Sequence, residues 1–285
     1  MKKLLIIFAV FFALQAFCLS LINALSFIVD GWIYSYPGLC FIQSLNSLLM
    51  YFCFPLLSLR FIQGQKPFQS VGINKMPKTK DIVAIIGICI CMFTSIYLFQ
   101  NINEALPLPS FLNGLKEIMD NLQSSAMATY NTLLNVEKMW QLGLTIIVVA
   151  VIPAICEEIF FRGWLQIQAN RFVNYHIAVW VVAILFAAMH MQYKVFIPQV
   201  LMGALFGYVF YYTGSLWSTI IIHFVNNCAT VIYTYLDFNN IINIEINSFK
   251  YYNYIGVVTT IIIIGLLLFI RKNSKMLIKG YPTGV

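Results

Sequence analysis

Long apolar runs alternate with short polar breaks along nearly the whole chain. A helix needs about 20 mainly apolar residues to cross a bilayer. Runs of about that length fall roughly at 4–29, 39–60, 82–100, 139–162, 176–193, 195–212, 216–236 and 253–270. The pattern predicts an all-α polytopic membrane protein of about eight transmembrane helices. Lys2 and Lys3 open the first run as a secretory signal would. A signal's apolar region, however, is usually about 7–15 residues long and ends at a small-residue site. This run reaches Val29 without an Ala-x-Ala, and Phe17 before Cys18 makes a poor lipobox, so it is read as a retained anchor. Between the third and fourth runs, 101–138 is polar but not low-complexity. It predicts a surface helix around 111–135, with Leu112, Leu115, Ile118, Met119 and Leu122 at helical spacing as a packing stripe. There is no internal repeat. The chain divides into 1–138, three spans and an outer loop; 139–236, a helical core; and 237–285, a last span and basic tail.

Composition agrees with a membrane address. Of the 285 residues 61% are hydrophobic and 9% charged, whereas a soluble domain is about a quarter charged. This excludes a soluble globular enzyme, a disordered chain and a disulfide scaffold. The net charge of +7 reads as topology rather than nucleic-acid binding. With the N-terminus in the cytoplasm and eight spans, 13 of the 17 basic residues face the cytoplasm, as the positive-inside rule expects. Lys116, Lys138, Lys194 and Lys250 fall outside with seven of the ten acids. The expectation is a multi-pass protein of the cell membrane with both termini cytoplasmic and the lipid bilayer as partner. The 60–80 loop and the tail are suited to anionic headgroups. Oligomeric state is open. Trp32, Trp140 and Trp217 lie near span ends, as interface aromatics do. Seven cysteines lie in or beside apolar runs without Cys-x-x-Cys spacing and read as buried thiols.

Against this background the intramembrane polar residues stand out, because each costs about 2.5–3.5 kcal/mol on insertion scales. They gather in three runs: Glu157, Glu158 and Arg162; His190; and His223 with Asn226 and Asn227. His176 sits at a span entrance and reads as interfacial. If the fourth and fifth runs meet near Asn174, Glu157 and His190 lie at similar distances from that turn, so the three groups can converge in the inner half of the bilayer. Glu158 and Arg162 are i,i+4 and can pair, and a buried arginine needs such a partner. Glu157 then points about 100° away from Glu158 and is free to face a cavity. His223 and Asn227 also share a face, and Pro153 can kink the helix one turn before the glutamates. A buried glutamate can act as general base on water, with histidine and asparagine stabilising an oxyanion. Alternatively carboxylate and histidine hold zinc, although no His-Glu-x-x-His helix is present. The competing structural reading is a polar network that only fixes the bundle.

Glu157-Glu158-Ile-Phe-Phe-Arg162, Phe186-Ala-Ala-Met-His190 and His223-Phe-Val-Asn-Asn227 resemble, in order and spacing, the three motifs of the CPBP family of CAAX proteases and bacteriocin-processing enzymes (the Abi family), whose eukaryotic branch is the type 2 CAAX prenyl endopeptidase. The resemblance covers about 139–236. It implies eight spans with the active site within the helix bundle, and an intramembrane endopeptidase acting on a membrane-associated peptide or protein. It implies Glu157 as the base activating water with His190 beside it, Glu158 and Arg162 in support, and His223 with Asn227 stabilising the oxyanion. Asn226 is an additional candidate. If Zn2+ is used, Glu157, His190 and His223 are the ligands the resemblance implies; a metal-free glutamate mechanism is the alternative. A non-catalytic bacteriocin-immunity or peptide-binding protein is the competing function, and a small transporter with a glutamate proton relay is a third.

Overall fold

The computed structural model describes residues 31–107, 110–242 and 251–273, with scattered positions between 6 and 24. Half of the first predicted span, and the tail beyond Asn273, lie outside the described residues. Those described form helices and no strand. They are α1 (Tyr36–Ile62), α2 (Thr79–Ala105), α3 (Lys116–Leu134), α4 (Met139–Ala169), α5 (Tyr175–Met189), α6 (Tyr193–Thr213, opening with a 3-10 turn), α7 (Leu216–Phe238) and α8 (Tyr252–Asn273).

Six of these, α1, α2, α4, α6, α7 and α8, are long and apolar enough to cross a membrane. The fifth predicted span is shorter than its apolar run: α5 has 15 residues, about 22 Å at helical rise, against about 30 Å of hydrocarbon. It ends at His190, and Met191 takes the left-handed conformation (φ 56°) that more often falls to glycine after a helix. The turn into α6 is clamped from outside the pair. The Asn103 side chain at the end of α2 donates to the Tyr193 and Lys194 carbonyls and accepts from Ile197 N–H (2.9 Å). The Tyr193 hydroxyl donates to Asp120 of α3 at 2.6 Å. Helix α3 thus lies over the turn that ends in His190. Its apolar stripe does not pack as expected. Leu115, Ile118 and Leu122 are exposed, and the buried positions are Gln123, Leu133 and Leu134.

Helices α5 and α6 approach closely at small residues. A Cβ on Gly203 would meet the Ala183 backbone at 3.0 Å, and one on Gly207 would meet Val179 at 2.9 Å. At the opposite end of the bundle the 63–76 loop folds inward. Val71 is fully buried against Gly163, and Gly72 turns with φ +80° where a side chain would press on Phe210. The loop is pinned to the start of α7 by the Trp217 indole N–H on the Ile73 carbonyl (2.8 Å) and by the Ser215 hydroxyl on the Lys75 carbonyl. Trp217 is therefore a structural anchor as well as an aromatic near a span end. Helix α8 packs along α2, where Thr94, Ser95 and Thr259 exchange hydroxyl hydrogen bonds.

Candidate active site

Helix α4 is not a uniform α-helix. It widens into π-helical turns at Ile146–Val151 and again at Ile159–Gln166. Such bulges are frequent where a helix carries a functional site. Proline explains the first. Pro153 has no N–H for the carbonyl one turn earlier, that of Val149. Asn227 of α7 takes over: its amide Nδ2 donates to the Val149 carbonyl at 3.2 Å, and Asn226 Nδ2 donates to Asn227 Oδ1 at 3.2 Å. The asparagine expected to stabilise an oxyanion is, in this state, bonded to the distorted backbone that precedes the glutamates.

Between the two bulges stand Glu157 and Glu158, and their surroundings differ sharply. Glu158 is fully buried. Its Oε1 accepts from Arg162 Nη1 at 2.9 Å and from His223 Nδ1 at 3.0 Å. Arg162 is fully buried too. Its second terminal nitrogen donates to the Gly203 carbonyl at 3.1 Å, and its guanidinium lies over the rings of Phe186, Phe206 and Phe161 at 4.7, 5.2 and 5.7 Å. A carbonyl, an imidazole and three aromatic faces surround this buried ion pair, while Glu158 Oε2 and Arg162 Nε have no hydrogen-bond partner among the described residues. Glu157 has no such commitment. Its Oε2 is buried without a hydrogen-bond partner among the described residues and lies 4.0 Å from His223 Nε2. That gap is too long for a hydrogen bond, yet a single water can touch both atoms.

The network assigns the histidine tautomer. With Glu158 ionised against Arg162, His223 Nδ1 carries the proton it donates, and its Nε2 faces Glu157. His190 reaches the same place through one phenyl ring: Phe186 lies 4.7 Å from the His190 ring and 6.0 Å from that of His223. His190 Nδ1 contacts the Phe186 carbonyl at 2.8 Å, which leaves its Nε2 available. The structure therefore brings Glu157, Glu158, Arg162 and His223 into direct contact or near contact, joins His190 through Phe186, and bonds Asn227 of α7 to the Val149 carbonyl of α4, ahead of the glutamates. His176 is elsewhere, against the Tyr208 hydroxyl at 2.9 Å.

Residues 139–229 match the family model of Rce1-like type II CAAX prenyl endopeptidases. The matched segment, about a third of the chain, holds all three motifs, and the matching model is of the kind to which those motifs were likened. No curated protein and no solved structure matches the chain.

Zinc, if used, would draw on Glu157, His190 and His223. Among the described residues no three His, Cys, Asp or Glu side chains are grouped so as to hold one metal ion. Glu157 and His223 offer two donors. His190 meets them only across Phe186. Three protein ligands are the usual minimum for catalytic zinc, so the donor set as it stands does not fit one, and no step below runs through a metal.

Several contributors escaped the sequence reading. Gly203 supplies a carbonyl to Arg162, and Phe206 supplies a ring to both Arg162 and His223 (5.4 Å to the latter). The signal for Gly203 was present as Gly203-x-x-x-Gly207, a small-residue spacing that marks close helix packing in membranes.

Proposed function

We propose that this protein is an intramembrane endopeptidase in which Glu157 activates a water molecule against a peptide bond of a membrane-associated peptide or protein. The observation that carries the reading is the unequal treatment of two adjacent carboxylates: Glu158 is bonded through Oε1 to both Arg162 and His223, whereas the partnerless Oε2 of Glu157 faces His223 Nε2 across a 4.0 Å gap. Such division assigns one group to support and the other to chemistry.

A water held between Glu157 Oε2 and His223 Nε2 donates one proton to each and turns an oxygen lone pair outward. As that oxygen bonds to the scissile carbonyl carbon, Glu157 takes the proton. When the C–N bond breaks, Glu157 returns the proton to the leaving nitrogen, which gives one carboxylic acid and one amine. Glu158 keeps His223 in the tautomer that faces the water, and Arg162 keeps Glu158 ionised. His190 Nδ1 donates to the Phe186 carbonyl, so its Nε2 accepts in the neutral ring and donates to a developing oxyanion only as the imidazolium. Asn227 joins in only if it leaves the Val149 carbonyl. The match to the Rce1-like family supports a prenylated C-terminal peptide as one substrate class, and unprenylated leader-like peptides are the other.

The test uses purified wild type, Glu157→Gln and His223→Ala in lipid nanodiscs. The probes are an internally quenched farnesylated peptide ending in Cys-a-a-X and a set of membrane-inserted peptides without prenyl groups. Wild type is expected to cleave at least one probe and Glu157→Gln none. Cleavage that survives Glu157→Gln sinks the glutamate mechanism. A loss of activity on chelation that zinc restores overturns its metal-free form. A wild type that binds the probes without cutting them favours a peptide-binding protein.

A further inference from the structure

The Rce1-like segment begins at residue 139, yet the wall opposite Glu157 comes from α1. That helix is distorted in the same way as α4. It carries π-helical turns at Ser47–Cys53, and a proline, Pro55, follows two residues later, as Pro153 follows Ile146–Val151. Pro55 frees the carbonyl one turn earlier, that of Tyr51. The Ser47–Cys53 stretch packs directly on the segment Ile152–Glu158.

Tyr51 is the residue this distortion presents. Its ring lies 5.3 Å edge-on to Phe160 and 6.0 Å from Phe161, the residues three and four positions after Glu157 and so on its side of the helix. Tyr51 also lies within electrostatic reach of the Glu157 carboxylate. The ring is half-buried, and among the described residues no hydrogen bond engages its hydroxyl. A phenol in apolar surroundings ordinarily finds a partner. The partnerless carboxylate oxygen of Glu157 lies about one helical turn along α4 from the Phe160 and Phe161 rings that Tyr51 packs against, and a polar guest beside both groups satisfies both.

The geometry points to Tyr51 as a substrate-contacting residue of this site: its hydroxyl donates across the cavity to the polar guest that Glu157 engages. In the resting site that guest is water. During hydrolysis, once that water has attacked and given its proton to Glu157, the Tyr51 hydroxyl donates to the former carbonyl oxygen, which has gained the negative charge. This rests on the hydrolytic reading above. It supplies the donor that Asn227, bonded to Val149, and Arg162, bonded to Glu158 and Gly203, do not offer in this state.

Tyr51→Phe removes the hydroxyl and keeps the ring contacts, so the fold is retained. On whichever probe peptide wild type cleaves, kcat is expected to fall about a hundredfold, with KM little changed and Tm unchanged. A wild-type kcat in Tyr51→Phe overturns the proposal. A second measurement needs no turnover. The infrared carboxyl band that disappears in Glu157→Gln is expected to shift in Tyr51→Phe, because the shared water loses one partner. If wild type cleaves no probe, the hydrolytic reading fails on those substrates and the band alone decides: a shift upholds the shared guest, and an unmoved band overturns it.

Discussion

At the scale of single residues, neighbouring carboxylates on one helix turn have different surroundings, and on the proposed reading their substitutions should separate cleanly. Glu158→Gln leaves a fully buried guanidinium without its counter-charge. Breaking a buried pair by removing one partner costs about 3–5 kcal/mol. Thermal unfolding in detergent should therefore show a large loss of stability in Glu158→Gln. Glu157→Gln breaks no hydrogen bond to its Oε2 and should unfold near the wild-type temperature while abolishing cleavage. Equal destabilisation by the two variants would mean that both glutamates are structural. The motif residues were legible in the sequence because a membrane chain with 9% charge makes each intramembrane ionisable group conspicuous. Tyr51 was not legible for the converse reason: with 16 tyrosines and 24 phenylalanines, one more aromatic ring in an apolar run carries no signal until its neighbours are known.

At the scale of elements, the site depends on helices that depart from regular geometry, and proline is the device. Asn227 meets the carbonyl that Pro153 leaves unpaired, so Asn227→Ala should cost about 1–3 kcal/mol, the penalty of a buried unsatisfied polar group. Pro153→Ala returns an N–H to that turn. The cost of Asn227→Ala should then shrink in a Pro153→Ala background, as a double-mutant cycle can measure. Additive effects would show that the amide and the proline are unrelated. The α5–α6 contact makes a second element-scale prediction. Gly203→Ala places a methyl group against Ala183 and should destabilise by about 1–3 kcal/mol, with activity falling as the Gly203 carbonyl shifts from Arg162. Unchanged stability and activity would mean that α5 yields freely. The sequence pattern located these helices but overestimated α5, because the residues of its terminal turn, Met191, Tyr193 and Val195, are themselves apolar and hydropathy does not register the break. The stripe on α3 was visible, but amphipathicity does not say whether its apolar side meets protein or lipid, and here Leu115, Ile118 and Leu122 face away from the bundle.

At the scale of the whole molecule, two ends with different chemistry enclose the site. One end gathers exposed Arg60, Lys66, Lys75, Lys78, Lys80 and Arg171. It is tied together by Lys78 on the Asn273 carbonyl of α8, by Arg171 on Gln63, and by Trp217 on Ile73. At the other end α3 lies over the α5–α6 turn through Asp120 and Tyr193. The positive-inside rule assigns the first end to the cytoplasm. A membrane-impermeant maleimide should then label an exposed Ser124→Cys on α3 in intact cells, and Lys75→Cys only after permeabilisation, with the parent chain giving the baseline of its seven cysteines. The reversed pattern would overturn the assignment. The orientation matters for substrate entry. On the basic side, the loop bearing Val71 packs onto Gly163 of α4, between that face and the turns that carry Glu157. On the other side, α5 ends at His190 after about 22 Å, short of a full crossing, beneath α3. A peptide therefore reaches the site either by displacing one of these covers or laterally between helices. Cross-linking α3 to the α5–α6 turn through a Gln123→Cys, Lys194→Cys pair, whose parent side chain and backbone meet at 3.4 Å, tests the first route. Cleavage should stop in the oxidised form and return on reduction if the substrate passes beneath α3. It should continue undiminished if the substrate enters elsewhere.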